Sequence, residues 1–267
     1  MGFLAEIVAA TRTSIARPEY LLAAATPAGS GARPSLRTAV ESASARGALL
    51  AEFKRVSPGS SAPELPTRSP AEFVRATADA GLAGYSCVAT EHRFRGSVAD
   101  VRAVATGTGL PVLFKDFVVD PVQLDAARSA GASAVLLIAR LESEGLLSTS
   151  LAELARAAHA RQLEVLLEYH DRSELRPTAD VPADMYGVNV RDLDSLRMEP
   201  EVALVTLRAA RGRRPLLGLS GVGTPADAAR FWSAGVDGIL LGRAVARAPD
   251  PAAFLRTLAR PSSGVRA

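Results

Sequence analysis

Short apolar runs rich in valine, leucine and isoleucine recur along the chain, each followed by a stretch whose apolar positions fall at helical spacing. Eight runs stand out: ALLAEFK (48–54), YSCVAT (85–90), PVLFKD (111–116), SAVLLIA (133–139), LEVLLEY (163–169), MYGVNV (185–190), PLLGLS (215–220) and DGILLG (237–242). Near-continuous apolar runs of this length suit strands covered on both faces, so the pattern predicts parallel strands in βα units. Candidate helices lie between them, such as PAEFVRATADAG, VQLDAARSAG, PADAARFWSAG and PAAFLRTLAR. Several open with Pro or Asp and end at Gly, the residues that start and stop helices.

Eight units in succession predict an α/β chain closed into a (β/α)8 TIM barrel rather than an open doubly wound sheet. No GxGxxG follows the first strand, which argues against a dinucleotide-binding fold. Residues 1–47 precede the first strand and are expected to form an N-terminal helical extension, with a helix near 3–16 and a loop around PAGSGARPS. Residues 48–267 form the barrel, and the whole is expected to be one domain. The length of 267 residues suits this, since such barrels run to about 250 residues. Two smaller domains are the alternative. A second long loop, SPGSSAPELPTRSP (57–70), follows the first strand, where loops of a barrel serve its site.

Composition changes this picture mainly through its basic residues. Of the 31 Lys and Arg residues, only Lys54 and Lys115 are lysines. A position that needs only surface charge tolerates arginine, whereas one that must give or lose a proton does not. The net charge of +3 comes from scattered arginines, tightly clustered only at Arg211, Arg213 and Arg214, with no aromatic-interleaved stripe for nucleic acid. The single cysteine, Cys87, excludes an internal disulfide and suits a reducing compartment. The N-terminal segment carries Glu6 and lacks a long apolar run, and no stretch reaches membrane-spanning length without charge. A cytoplasmic protein without a membrane or nucleic-acid partner is expected, monomeric or weakly homo-oligomeric. His92, His159 and His170 are too dispersed for a metal site, so no metal is expected.

In such a barrel, side chains at the C-terminal strand ends share one mouth. Those ends carry Glu52 and Lys54, Thr90 and Glu91, Lys115, Glu168, Asn189 with Arg191, Ser220 and Gly242. Both lysines are among them. Alternation puts Glu52 and Lys54 on the inward face and Phe53 outside. Ionisable groups inside an apolar barrel cost energy unless paired or functional. The competing readings are a structural Lys115–Glu168 salt bridge, Asn189 as a loop cap, and Arg191 with Asp192 as a surface pair. After the last two strands, Gly221, Gly223 and Gly242 let backbone amides approach a ligand, and Thr224-Pro225 opens the next helix, the usual phosphate corner of these barrels.

The stretches AEFKRVSP (51–58), VLFKDFVVD (112–120), LLEYHD (166–171), YGVNVRDL (186–193), SGVGTPAD (220–227) and LLG (240–242) together resemble indole-3-glycerol-phosphate synthase. They occur in the family's order over nearly the whole chain. The resemblance implies a carboxy-lyase that closes the ring of 1-(2-carboxyphenylamino)-1-deoxyribulose 5-phosphate to indole-3-glycerol phosphate, losing carbon dioxide and water without a cofactor. Its substrate is a small phosphorylated molecule. Lys115 matches the family's general acid and Glu168 the carboxylate of the dehydration. Lys54, held by Glu52, matches the residue that binds the substrate carboxylate end. Ser57, Asn189 and Arg191 match groups that orient the anthranilate part. Pro58, Phe117, Leu136 and Ile138 match the walls around its ring. Ser220, Gly221 and Gly242 match the phosphate cradle, joined by Arg243.

The chain also departs from the family. Leu219 stands where a glutamate is usual before Ser-Gly, the loop after Ser57-Pro58 lacks the usual Lys-Gly, and Arg243 follows Gly242 where a small polar residue is common. Two alternatives stay open: a divergent paralogue acting on a modified aryl-amino sugar phosphate, and a non-catalytic phosphate-binding barrel. An isomerase of a neighbouring phosphoribosyl pathway would not be expected to carry both lysines.

Overall fold

The computed structural model describes residues 2–26, 33–60, 62, 64–66 and 68–261. Most of the PAGSGARPS loop therefore lies outside the described residues, as do Ser61, Pro63 and Thr67 of the second loop. The strands are β1 (Ala48–Phe53), β2 (Gly84–Val88), β3 (Val112–Lys115), β4 (Ala134–Ile138), β5 (Glu164–Tyr169), β6 (Met185–Asn189), β7 (Leu216–Leu219) and β8 (Gly238–Leu241). They pair in sequence order, all parallel, and β8 pairs back with β1 to close the barrel. Every expected run became a strand, trimmed by a residue or two or, for β2, begun a residue earlier.

Three helices precede β1: α1 (Phe3–Ile15), α2 (Pro18–Ala25) and α3 (Leu36–Ala43). Around the barrel follow α4 (Pro70–Thr77), α5 (Val98–Gly107), α6 (Pro121–Ala130), α7 (Ala139–Ser143), α8 (Leu151–Ala160), α9 (Pro200–Ala209), α10 (Pro225–Ala234), α11 (Arg243–Arg247) and α12 (Pro251–Arg256). Capping boxes start α4, α6, α8 and α10, where Ser69, Asp120, Ser150 and Thr224 each pair reciprocally with the residue three further on. The βα alternation has one gap. Between β5 and β6 the chain makes only a 3₁₀ turn, Arg172–Glu174, because Pro177 and Pro182 deny the segment a helical hydrogen-bond ladder. There Arg213 lies over the rings of Tyr169 and Tyr186, 5.5 and 5.3 Å from their centroids, and covers the exposed sheet face.

Alternation along the strands sorts side chains into two cores. Leu49, Phe53, Tyr85, Phe114, Val135, Leu167 and Ile239 face the helices, and Phe53 meets Phe73 edge-on at 5.6 Å. Leu50, Leu113, Leu136, Leu166, Leu217 and Leu240 fill the barrel interior. The extension closes both ends of this interior. Glu164 at the start of β5 accepts from Ser35 Oγ and from the Leu36 and Arg37 amides, which fixes α3 under the barrel. At the opposite end, the Leu4 amide donates to Asp194 (3.1 Å), and Glu6 pairs with His92 and Arg93, so α1 lies over the mouth.

Candidate active site

Strand β1 supplies the first charged pair. Lys54 Nζ donates to Glu52 Oε1 at 2.6 Å. Burial pushes the Glu52 pKa up, but the Lys54 and Lys115 charges outweigh it and hold the carboxyl below its ordinary value. A Cβ on Gly242 would stand 2.7 Å from Glu52 Oε1 and 3.2 Å from Lys54 Cε. That glycine is therefore required by the pair beside it as well as by any ligand.

Strand β3 ends in Lys115, which faces the same cavity and has no ion-pair partner within 4.0 Å among the described residues. The salt bridge with Glu168 weighed as a purely structural reading is not formed. The next residue, Asp116, is buried and accepts from Thr90 Oγ1 (2.6 Å), Gln123 Nε2 (2.9 Å) and the Phe117 amide (3.0 Å). Burial raises its pKa in spite of these donors. The knot fixes the turn after β3, and with it the backbone that carries Lys115 and Phe117.

Glu168 on β5 is 2% exposed. Its Oε1 accepts from Asn189 Nδ2 at 3.2 Å, while Oε2 has no partner. Burial holds its pKa above the ordinary carboxylate value, against the pull of Lys115 and the Asn189 hydrogen bond. Asn189 cannot turn freely, because its Oδ1 accepts from the Arg191 amide at 3.0 Å. Asn189 thus directs its amide group to the carboxylate and also caps the β6 loop.

Asp192 does not pair with Arg191. It binds Arg140 at 2.5 Å, and Arg140 also binds Glu174 at 3.0 Å, which joins helix α7 to the segments after β5 and β6. Arg191 instead donates from Nη1 to the Leu196 carbonyl at 2.6 Å and lies beside Gly59 of the β1 loop. That loop is tied down by a bridge between Val56 and Glu64 and by Arg68 Nη1 on the Ala246 carbonyl at 2.8 Å.

Two adjoining cavities form the mouth. The first gathers Glu52, Lys54, Ser57, Pro58, Lys115, Phe117, Leu136, Ile138, Glu168, Asn189 and Arg191. The second holds Ser220, Gly221, Gly242 and Arg243, and shares Glu52, Lys54, Ser57, Arg191 and Ser220 with the first. Every residue that the resemblance matched to a role lines one or both. Gly221 has φ +80°, the left-handed conformation that favours glycine, and Ser220 before it has φ +65°.

Some expectations change. Glu91, read as a mouth residue, turns outward to Arg17 (2.7 Å) and Ser14 (3.2 Å). Gly223 offers no amide to a ligand, since its N–H donates to Asp227 Oδ2 at 3.0 Å. The Ser220 amide is likewise held by the Leu240 carbonyl at 3.1 Å, which leaves the hydroxyl to face the cavity. Leu219 is fully buried against Gly187, whose Cβ, if present, would stand 2.7 Å from Leu219 Cδ1. Sequence reading missed Phe3, Phe94, Leu193 and Leu196 in the apolar wall; Phe94 tilts against Phe117 with centroids 6.1 Å apart. Phe94 follows the β2 strand-end residues closely enough to have been suspected. Phe3 and the β6-loop leucines carry no signal, because their places depend on tertiary docking. Among the described residues, no group of three His, Cys, Asp or Glu side chains could hold a metal ion.

The family model described as indole-3-glycerol phosphate synthase matches residues 4–258. The chain belongs to the indole-3-glycerol phosphate synthase family. A family member from Staphylococcus aureus (strain JH1), itself called indole-3-glycerol phosphate synthase, is 35% identical over 211 residues, 79% of this chain and 79% of that protein. Another of the same name from Exiguobacterium sibiricum is also 35% identical over 211 residues, 79% and 80% of the two chains. Among solved structures, 3-hexulose-6-phosphate synthase from Salmonella typhimurium aligns with TM-score 0.59 and 17% identity over 79% of this chain and 96% of that one. Thiamine phosphate pyrophosphorylase from Pyrococcus furiosus aligns with TM-score 0.58 and 17% identity, covering 80% and 94%. At such identities these two structures speak to the fold alone. In this family member, both lysines and the buried glutamate face one mouth, while the seventh strand brings Leu219 rather than a carboxylate.

Proposed function

We propose that this chain is an indole-3-glycerol-phosphate synthase, a carboxy-lyase that converts 1-(2-carboxyphenylamino)-1-deoxyribulose 5-phosphate to indole-3-glycerol phosphate, carbon dioxide and water. The observation that carries the reading is the contrast between two buried-site groups: an ammonium, Lys115, with no ion-pair partner among the described residues, and a carboxylate, Glu168, with one oxygen unpartnered and its pKa raised by burial. An unengaged ammonium can donate a proton. A carboxylate tuned towards neutrality is a better base near physiological pH than an ordinary one.

In this reading the ring carbon bearing the carboxylate attacks the ketose carbonyl, and Lys115 protonates the oxygen as the carbon–carbon bond forms. Carbon dioxide leaves and restores the aromatic electrons. Glu168 then takes a proton from the ring methylene beside the nitrogen, while the new hydroxyl gains one from the Lys54 ammonium in the same cavity and departs as water, completing the indole. Lys54, oriented by Glu52, holds the substrate carboxylate. Ser57, Asn189 and Arg191 orient the anthranilate part between Pro58, Phe117, Leu136 and Ile138, all of which line the same cavity. Ser220, Gly221, Gly242 and Arg243 take the phosphate in the adjoining one. The reading includes a single barrel domain, residues 48–267, behind a 1–47 extension, acting in the cytoplasm as a monomer or weak homo-oligomer.

Leu219 favours a second reading, a paralogue acting on a ring-modified aryl-amino sugar phosphate, because an apolar side chain stands in strand register with Asn189 where the family usually carries a charge. Incubating purified protein with the unsubstituted substrate distinguishes the two. Growth of indole absorbance with matching release of carbon dioxide supports the synthase. A folded protein that yields neither, yet turns over a ring-substituted analogue, moves the assignment to the paralogue.

A further inference from the structure

The second cavity, between the ends of β7, β8 and β1, holds more positive charge than its carboxylates neutralise. Lys54, Arg191, Arg230 and Arg243 line it, against Glu52 and Asp227. Both carboxylates are engaged: Glu52 by Lys54 at 2.6 Å, and Asp227 through Oδ2 by the Gly223 and Thr224 amides and the Thr224 hydroxyl at 2.9–3.0 Å. Arg230 turns outward to Glu201 at 3.1 Å. Two guanidinium groups are left without a carboxylate. Arg191 donates only to the Leu196 carbonyl, and the half-buried Arg243 makes no hydrogen bond or ion pair among the described residues.

We propose that Arg243 selects the charge state of the bound phosphate, forming with Arg191, which borders both cavities and so reaches the phosphate as well as the anthranilate end, a two-guanidinium site that takes a doubly ionised phosphomonoester in preference to a singly charged group. The inference rests on the phosphate-site reading above and extends it to a residue that departs from the family pattern. Two like charges share a cavity whose carboxylates are already engaged, and Arg191 feels this: burial first, then the Arg243 charge, pull its pKa below the ordinary arginine value against the weaker opposing pull of Glu52. A ligand carrying one charge neutralises one of these cations. A dianion neutralises both, and its oxygens accept charge-assisted hydrogen bonds from each planar donor set. A solvated surface arginine would behave differently, since its charge is screened by salt and acts weakly on either ligand.

The test uses calorimetric titration of the full chain with two probes: glycerol 3-phosphate, and its singly charged methyl diester. The unsubstituted chain should bind glycerol 3-phosphate at least tenfold more tightly than the diester at pH 7.5. Its affinity should fall as pH drops through the second phosphate ionisation, near pH ~6. Arg243→Gln should lose about tenfold for glycerol 3-phosphate, about 1.4 kcal/mol, and less than twofold for the diester. Arg243→Lys should recover part of the loss, which separates charge from packing. Equal losses for both probes, no loss for either, or no binding of glycerol 3-phosphate to the unsubstituted chain would each overturn the proposal. The titrations contain no turnover step, so an absent ring-closing activity would count against the synthase reading while leaving this one standing.

Discussion

The interior of the barrel has two levels built by the same strands, and they obey opposite rules. At the lower level Leu50, Leu113, Leu166 and Leu217 interdigitate, almost wholly shielded from water. One pleat higher, β1, β3, β5 and β6 present Glu52, Lys115, Glu168 and Asn189. The lower level gains stability from each buried methylene, about 0.8 kcal/mol apiece. The upper level gives some of it up, since charges are desolvated there and one Glu168 oxygen stays unpartnered. Chemistry and cohesion are thus divided along each strand rather than between parts of the molecule.

Substitutions at each level sharpen that contrast. The largest effect should come from Lys115→Arg, which keeps the charge and removes the proposed proton donor: turnover should fall by about 10²–10⁴-fold with the melting temperature little changed. Normal turnover would remove Lys115 from the acid role. On the lower level Leu166→Ala should cost about 2–5 kcal/mol in denaturant unfolding through the cavity it leaves. Leu219→Glu crosses the two rules by putting a carboxylate into a fully buried site. It should cost about 1–3 kcal/mol and alter turnover or substrate range. A variant identical in stability and kinetics would deprive that departure of meaning.

The smallest effect is a pH-dependent one. The folded pKa of Glu168 is raised, so the native protein holds that proton more tightly than the unfolded chain. Its contribution is favourable below the unfolded carboxylate range and is lost as pH rises through the higher folded value. Glu168→Gln, which carries no charge, should therefore melt about 2 °C or more above the parent at neutral pH and converge with it near pH 4. A gap that widens with acid would contradict the sign.

The upper level was the more legible of the two in the sequence. All eight strands follow from their apolar runs, and Lys54 and Lys115 stood out because arginine fills almost every other basic position. Strand alternation then put Glu52 and Lys54 inside and Phe53 outside, as found. What could not be read depends on contacts between distant segments. Helices α2 and α3 went unassigned, although Pro18 and Ser35 start them; α2 leaves Leu21 and Leu22 exposed and so lacks a clean polar face. Glu91 follows a strand end like the residues that line the mouth, but Arg17 of the extension draws it away. Gly223 looked like an open amide until Asp227 was seen to occupy it.

The central claim is a division of labour between Lys115 and Glu168, and single-turnover product analysis tests it most directly. With the unsubstituted substrate, Lys115→Arg should release neither carbon dioxide nor indole product at an appreciable rate, because the bond-forming step lacks its acid. Glu168→Gln should release carbon dioxide ahead of indole absorbance, because only the later dehydration lacks its base. If both variants release carbon dioxide and form the indole in step at the parent rate, the assignment of acid and base is wrong.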